Sequence, residues 1–94
     1  MRKTVEILVS GYVQAVGFRF YAKRHADYFG LTGFVQNLPD GNVRVIASGP
    51  EEDLARYIER LKEGPRAAVV KNVKVTQHND RIFRDFVIKY AWLK

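Results

Sequence analysis

The sequence predicts an α+β fold in which two helices pack on one face of an antiparallel sheet. Apolar residues recur at every second position in several short segments and at helical spacing in two longer ones, and these segments follow one another in the order β-α-β-β-α-β, with a short extra strand at the end. Turn-forming residues separate the segments. A chain of 94 residues has room for one such domain, spanning residues 1–94, with a single core.

The first two elements are a strand over Thr4–Ser10 and a helix that begins near Phe18. Alternation of apolar and polar side chains predicts the strand, with its buried face formed by Val5, Ile7 and Val9. Helical spacing of apolar side chains predicts the helix, on a face formed by Phe18, Ala22, Ala26 and Phe29. We expect Gly30 to end the helix, because glycine readily adopts the left-handed backbone that closes one.

A hairpin and a second helix follow. Two strand-like runs, 31–37 and 42–48, are joined by Leu38-Pro39-Asp40-Gly41, in which proline and glycine favour a tight turn. The second helix is predicted to start with Pro50 at its first position and with carboxylates near the positive end of the helix dipole, namely Glu51, Glu52 and Asp53. Its core-facing residues are predicted to be Leu54, Ile58 and Leu61.

Gly64-Pro65 ends the second helix, and two strands close the chain over Val70–Gln77 and Arg84–Tyr90. Right-handed crossovers and a tight hairpin favour the ferredoxin-like arrangement for this order of elements. In that arrangement the third strand lies between the first and the second, which are therefore parallel. The loop Gln14–Arg19 and the strand-ending residue Asn37 then meet at one edge of the sheet.

Composition narrows the classes of function. Sixteen basic and ten acidic side chains give a formal charge of +6, which favours anionic partners without separating phosphorylated metabolites from nucleic acids. The absence of cysteine excludes disulfides, thiolate metal sites and thiol nucleophiles. The two histidines, His25 and His78, lie on different predicted elements, so we expect no metal site. No apolar run is long enough to cross a membrane, and we expect a cytoplasmic protein.

The segment Gln14–Arg19 has the chemistry of an anion-binding loop. It joins a strand to a helix N-terminus, where backbone N–H groups lack intrahelical acceptors. Ala15 and Gly17 are small enough to leave that backbone accessible, and the planar fork of Arg19 can bond two phosphoryl oxygens at once. The segment is not a Walker loop, because the Lys-Ser/Thr pair is missing. Alone, it is a weak signal, since a basic residue early in a helix is more often a solvated surface charge.

Asn37 ends a strand directly before a turn. The ordinary role of an amide there is to bond nearby backbone. Beside an anion loop, however, a neutral amide can hold a water against phosphorus without repelling the phosphate.

Two segments resemble the signatures of the acylphosphatase family. Gly11-Tyr12-Val13-Gln14-Ala15-Val16-Gly17-Phe18-Arg19 resembles the first signature, and Gly33-Phe34-Val35-Gln36-Asn37 with the following turn resembles the second. The likeness extends through Gly64-Pro65 to Phe86-Val87-Ile88.

The resemblance implies an enzyme that hydrolyses small-molecule acyl phosphates to a carboxylate and inorganic phosphate, with no cofactor and no metal. It implies that Arg19 binds the phosphoryl group together with the loop amides, and that Asn37 orients the attacking water. The phosphate-loop positions that it implies, besides Arg19, are Gln14, Ala15, Val16, Gly17 and Phe18.

Ala15 departs from the family pattern, which usually has glycine there. If the position needs a positive φ, the Cβ would cost about 1 kcal/mol or displace an amide. Because of this departure, one alternative stays open: a protein that keeps the acylphosphatase frame without useful catalysis and acts in regulation, or is a relative of the acylphosphatase-like domain of hydrogenase maturation proteins. A single-stranded RNA binder is the other alternative, faintly echoed by Gly33-Phe34-Val35, but the rest of that motif is absent and we expect no nucleic-acid partner. We also expect a monomer.

Overall fold

The computed structural model describes residues 1–79 and 83–90. Within these residues the chain forms the predicted order of elements, namely β1 (Arg2–Tyr12), α1 (Phe18–Tyr28), β2 (Thr32–Asn37), β3 (Val43–Pro50), α2 (Glu51–Glu63), β4 (Val69–Gln77) and β5 (Phe86–Lys89). The last strand is shorter than predicted and stops before Tyr90, whose side chain is 68% exposed.

The five strands form one sheet in the order β4-β1-β3-β2-β5. β3 pairs antiparallel with both β1 and β2, so β1 and β2 run in the same direction, which confirms the predicted ferredoxin-like topology. β5 pairs parallel with β2, and the sheet is therefore mixed rather than antiparallel throughout.

The register of β3 fixes the relation between its two neighbours. Val43 lies opposite Val9 of β1 on one side and opposite Asn37 of β2 on the other. Strands two apart in a sheet are separated by roughly 10 Å. Asn37 therefore lies at the same end of the sheet as the end of β1, where the loop to α1 begins.

The core lies between the sheet and the two helices. Alternate residues of β1, β2 and β3 face it, including Ile7, Val9, Val35, Val43 and Val45, all fully or almost fully buried. From α2, Leu54, Tyr57 and Leu61 are buried, and the predicted core residue Ile58 is partly buried. The Tyr57 hydroxyl donates a hydrogen bond to the Ala22 carbonyl oxygen at 2.9 Å, which joins the two helices.

The C-terminus of α1 agrees with its sequence-based prediction, and the N-terminus of α2 differs from its prediction by one residue. Gly30 has φ 70°, and its N–H donates to the Asp27 carbonyl oxygen at 3.1 Å. The Leu31 N–H donates to the Ala26 carbonyl oxygen at 2.9 Å. These two bonds form a Schellman motif, the helix ending that a glycine at this position predicts. Pro50 is not the first residue of α2. With ψ 142° it is the extended N-cap and still pairs with Arg2, because β3 continues to that residue.

We predict that Gly33→Ala will lower the free energy of unfolding by about 2–5 kcal/mol. Gly33 has φ 137°, and a Cβ there would collide with the Ile46 carbonyl oxygen of the neighbouring strand. The matched control is Gly30→Ala, which has φ 70° but meets nothing within 4 Å, and should cost only about 1–2 kcal/mol. Urea denaturation measures both values, and equal losses would contradict the close approach at Gly33.

Candidate active site

The loop between β1 and α1 has left-handed backbone at two positions. Ala15 has φ 61° and Gly17 has φ 80°, and Ala15 is the only non-glycine residue with a positive φ in the described part of the chain. Left-handed residues within a turn can direct successive N–H groups to one side, which forms a concavity for an anion. Ala15 thus has the positive φ that the sequence analysis gave as the condition under which an alanine there is strained.

The N-terminus of α1 carries no group of its own that neutralises it. Gly17 is the N-cap and makes no side-chain capping bond, and the first turn of α1 contains no acidic residue. By contrast, the first turn of α2 contains Glu51, Glu52 and Asp53. The free N–H groups and the positive end of the dipole at α1 are thus available to an anion from outside the chain.

A small hollow of about 90 Å³ lies at this helix N-terminus. Arg19 and Asn37, from different elements, both line it, as the topology predicted. The residues that line it are Val13, Ala15, Gly17, Phe18, Arg19, Phe20 and Asn37. Two residues of the predicted phosphate loop, Gln14 and Val16, do not line it.

The side chain of Asn37 has a buried and unsatisfied acceptor. Its Oδ1 atom accepts no hydrogen bond from any residue in the described ranges 1–79 and 83–90. A buried acceptor without a donor costs about 1–3 kcal/mol. The following turn is instead stabilised by Asp40, whose Oδ1 accepts from the Asn42 N–H at 3.0 Å. The ordinary turn-stabilising role is thus filled by another residue, and the Asn37 oxygen is left for a donor that the described residues do not supply.

Gln14 connects the loop to the β2–β3 turn. Its Nε2 atom donates to the carbonyl oxygens of Leu38 and Asn42, at 2.8 Å each. The side chain therefore holds the loop against the turn that follows Asn37, rather than entering the hollow. The sequence analysis assigned Gln14 to the loop but did not predict this connection. A primary amide has two N–H donors, and the neighbouring turn must expose carbonyl groups; together these features could have indicated it.

Arg19 lies at the rim of the hollow, next to an aromatic ring. Its Cζ atom is 5.1 Å from the centre of the Tyr90 ring, a distance at which the ring attracts the cation. No ion pair involving Arg19 is formed among the described residues, so its charge is not neutralised by a carboxylate there. Sequence reasoning missed Tyr90 because it treated this residue as part of the last strand.

The remaining titratable groups do not suggest a metal centre. Residues 1–79 and 83–90 contain no group of three or more His, Cys, Asp or Glu side chains that could hold an ion. His25 Nδ1 lies 3.1 Å from Arg60 Nη1, and burial, together with the neighbouring cations Arg60 and Arg24, lowers the pKa of this imidazole. Neither described helix combines the length and apolar character required to cross a membrane.

Comparison with known proteins identifies the family. The acylphosphatase family model matches residues 5–88. The chain belongs to the acylphosphatase family. The curated acylphosphatase of Thermotoga maritima is 43% identical over 88 residues, which make up 94% of this chain and 98% of that protein.

Two solved structures extend the comparison to the fold. The crystal structure of the Bacillus subtilis acylphosphatase has a TM-score of 0.90 at 36% identity and covers 96% of this chain and 100% of that one. T. kodakarensis HypF has a TM-score of 0.85 at 34% identity; the match covers 97% of this chain but only 12% of that one. Membership of the acylphosphatase family makes this chain a hydrolase, and acyl phosphates are its class of substrate.

We predict that Ala15→Gly will raise the free energy of unfolding of the chain by about 0.5–1 kcal/mol, because relief of about 1–2 kcal/mol of left-handed strain exceeds the added unfolded-state entropy of about 0.5–1 kcal/mol. The matched control is Ala55→Gly, the same chemical change at an exposed position inside α2, which should lower it by about 1 kcal/mol. Thermal and urea unfolding measure both changes. A loss at Ala15 equal to that at Ala55 would mean that the alanine is not strained.

Proposed function

We propose that the hollow at the N-terminus of α1 binds the phosphoryl group of an acyl phosphate, and that water held by Asn37 attacks the phosphorus atom. The observation that carries this proposal is the meeting of three features in one small hollow: an uncapped helix N-terminus, an arginine that forms no ion pair with a described residue, and a buried amide oxygen to which no described residue donates. The helix N-terminus and the amide oxygen are unsatisfied without a ligand, and an acyl phosphate with a water would satisfy both and pair with the charge of Arg19.

The phosphoryl oxygens would be held by two kinds of donor. Backbone N–H groups of the loop and of the first turn of α1 point an array of fixed dipoles at the anion. The guanidinium of Arg19 adds a full charge and a planar fork that bonds two oxygens. Because these donors are positioned before the substrate arrives, they stabilise charge on the transferring group with little reorganisation.

Asn37 would orient the nucleophile. Its Oδ1 atom can accept a hydrogen bond from a water molecule, which leaves a lone pair of that water directed at phosphorus. A neutral amide does this without repelling the phosphoryl oxygens, whereas a carboxylate would. Gln14 holds the turn next to Asn37 against the loop, so the water site and the phosphate site keep their distance from each other.

Hydrolysis of an acyl phosphate requires few further catalytic groups from the chain. Phosphoryl transfer proceeds through a loose, in-line transition state, in which positioning and electrostatic stabilisation supply most of the catalysis. The leaving carboxylate is a weak base and needs little protonation, so a general acid is not required. The step forms a bond between the water oxygen and phosphorus as the bond between phosphorus and the acyl oxygen breaks. The acyl oxygen leaves with the electron pair as a carboxylate, and the protons of the water stay on the inorganic phosphate or pass to solvent.

The alternative of an RNA-binding sheet has less support. Single-stranded nucleic acids stack their bases on exposed aromatic rings. Phe34, the aromatic residue of the motif-like segment, is only 5% exposed, and Lys89 Nζ lies 4.0 Å from the centre of its ring. Its ring is thus covered by the protein itself. A monomeric, cytoplasmic enzyme without a nucleic-acid partner remains our prediction.

We predict that Arg19→Ala and Asn37→Ala will each lower kcat/KM for benzoyl phosphate by about 10²-fold or more, because each removes a group that stabilises or positions the transition state. Loss of ultraviolet absorbance, with a chelator present, measures the rate. The two variants should differ in one respect: Arg19→Ala should also weaken competitive inhibition by inorganic phosphate, whereas Asn37→Ala should leave it almost unchanged.

The control variant is Arg2→Ala, which removes the same charge from an exposed position at the opposite end of β1. It should keep the rate within about twofold, since exposed charges far from a site are screened by solvent. Near-normal turnover by either site variant would overturn the role assigned to that residue.

A further inference from the structure

We propose that a second, larger hollow beside the phosphate site is the acyl subsite, and that it selects acyl groups with an apolar body and an anionic far end. This inference rests on the function proposed above and concerns the part of the substrate that leaves. The larger hollow has a volume of about 560 Å³ and lies against the outer side of α1. Gly17 and Phe20 line both hollows and form their common wall.

The direction of the reaction places the leaving group on this side. In an in-line displacement the leaving oxygen departs opposite the attacking water. Asn37, which would hold the water, lines the small hollow but not the larger one. The acyl oxygen therefore leaves away from Asn37, and a hollow that continues past Gly17 and Phe20 is the available space for the carbon chain attached to it.

The walls of the larger hollow suit an apolar body. Phe20 is 65% exposed, although it lies in the first turn of α1, so its ring is available to a ligand. The hydroxyl of Tyr21 donates to the Arg60 carbonyl oxygen at 2.7 Å, which leaves the ring of Tyr21 to form the wall. Val16 and Pro65 add further apolar surface. Burial of an apolar acyl group against these side chains stabilises the bound substrate in proportion to the area removed from water.

Beyond Phe20 along α1, the hollow is lined by two cations and the carboxylate of Asp27, and this carboxylate is paired with only one of the cations. Lys23 Nζ is occupied, because it lies 2.8 Å from Asp27 Oδ2 and donates to the Phe86 carbonyl oxygen at 3.0 Å. Arg24 lines the same hollow and forms no ion pair among the described residues. An acyl group that ends in a carboxylate or a second phosphate would meet this guanidinium, whereas the acetyl group of acetyl phosphate has no anionic end with which to pair.

The experiment compares kcat/KM for acetyl phosphate, benzoyl phosphate and 4-carboxybenzoyl phosphate in the parent chain and in the variants Phe20→Ala and Arg24→Gln. The last two substrates share one ring and differ by a distal carboxylate. The readout is the ratio of two substrates in one protein sample, which cancels any difference in the amount of folded enzyme.

Phe20→Ala should reduce the preference for benzoyl over acetyl phosphate by roughly three- to tenfold, as loss of an aromatic contact does. Arg24→Gln should reduce the preference for 4-carboxybenzoyl over benzoyl phosphate by roughly two- to fivefold. In the parent chain the preference for 4-carboxybenzoyl over benzoyl phosphate should also decrease as salt is added, because the ion pair between Arg24 and the distal carboxylate is exposed to solvent. The control Arg2→Gln should leave both ratios unchanged.

The outcomes separate this inference from the function on which it rests. Ratios that stay the same in both variants, while Arg19→Ala still lowers kcat/KM by about 10²-fold or more, would overturn the acyl subsite alone. Failure of the parent chain to hydrolyse all three substrates would overturn the proposed function and the subsite together.

Discussion

The pairing of β3 with both β1 and β2 is the constraint on which the site depends. Because β3 runs antiparallel to each neighbour, β1 and β2 are parallel and their ends meet at one edge of the sheet. Val43 lies opposite Val9 and Asn37 at once, and a shift of one residue in the pairing of β2 with β3 would turn the Asn37 side chain to the other face. The buried valines on the helix side resist such a shift, so core packing determines where the amide points.

Three locally unfavourable features converge at this edge: a left-handed alanine, a helix N-terminus without a side-chain cap, and a buried amide oxygen to which none of residues 1–79 and 83–90 donates. Strained or unsatisfied groups persist in proteins only where the surrounding structure holds them, and they cluster at functional sites. Here the support comes from the sheet beneath and from Gln14, which bonds the turn on the far side of the hollow. In the function proposed above, an oxyanion with a bound water supplies the partners that the helix N-terminus and the amide oxygen lack.

Periodicity and turn residues were sufficient to predict the order of elements, the central position of the third strand and the meeting of the loop with Asn37, because these follow from alternation and chain direction. The end of α1 at Gly30 was also predictable from the sequence, because few residues other than glycine adopt the left-handed backbone conformation found there. Three features could not be predicted from the sequence. The Gln14 side chain turns away from the hollow, Tyr90 lies under Arg19, and β5 pairs parallel with β2, and each of these depends on contacts between segments that no local pattern records.

The most direct test of the account is a titration of the ¹⁵N-labelled chain with inorganic phosphate, followed by the backbone amide signals in ¹H–¹⁵N spectra. We expect the largest shifts at residues 15–19, with one saturating curve shared by these amides and a marked loss of affinity in Arg19→Ala. Shifts of similar size scattered over the basic surface, without saturation, would mean that phosphate binds only through the net charge. That result would contradict a phosphate site at the N-terminus of α1.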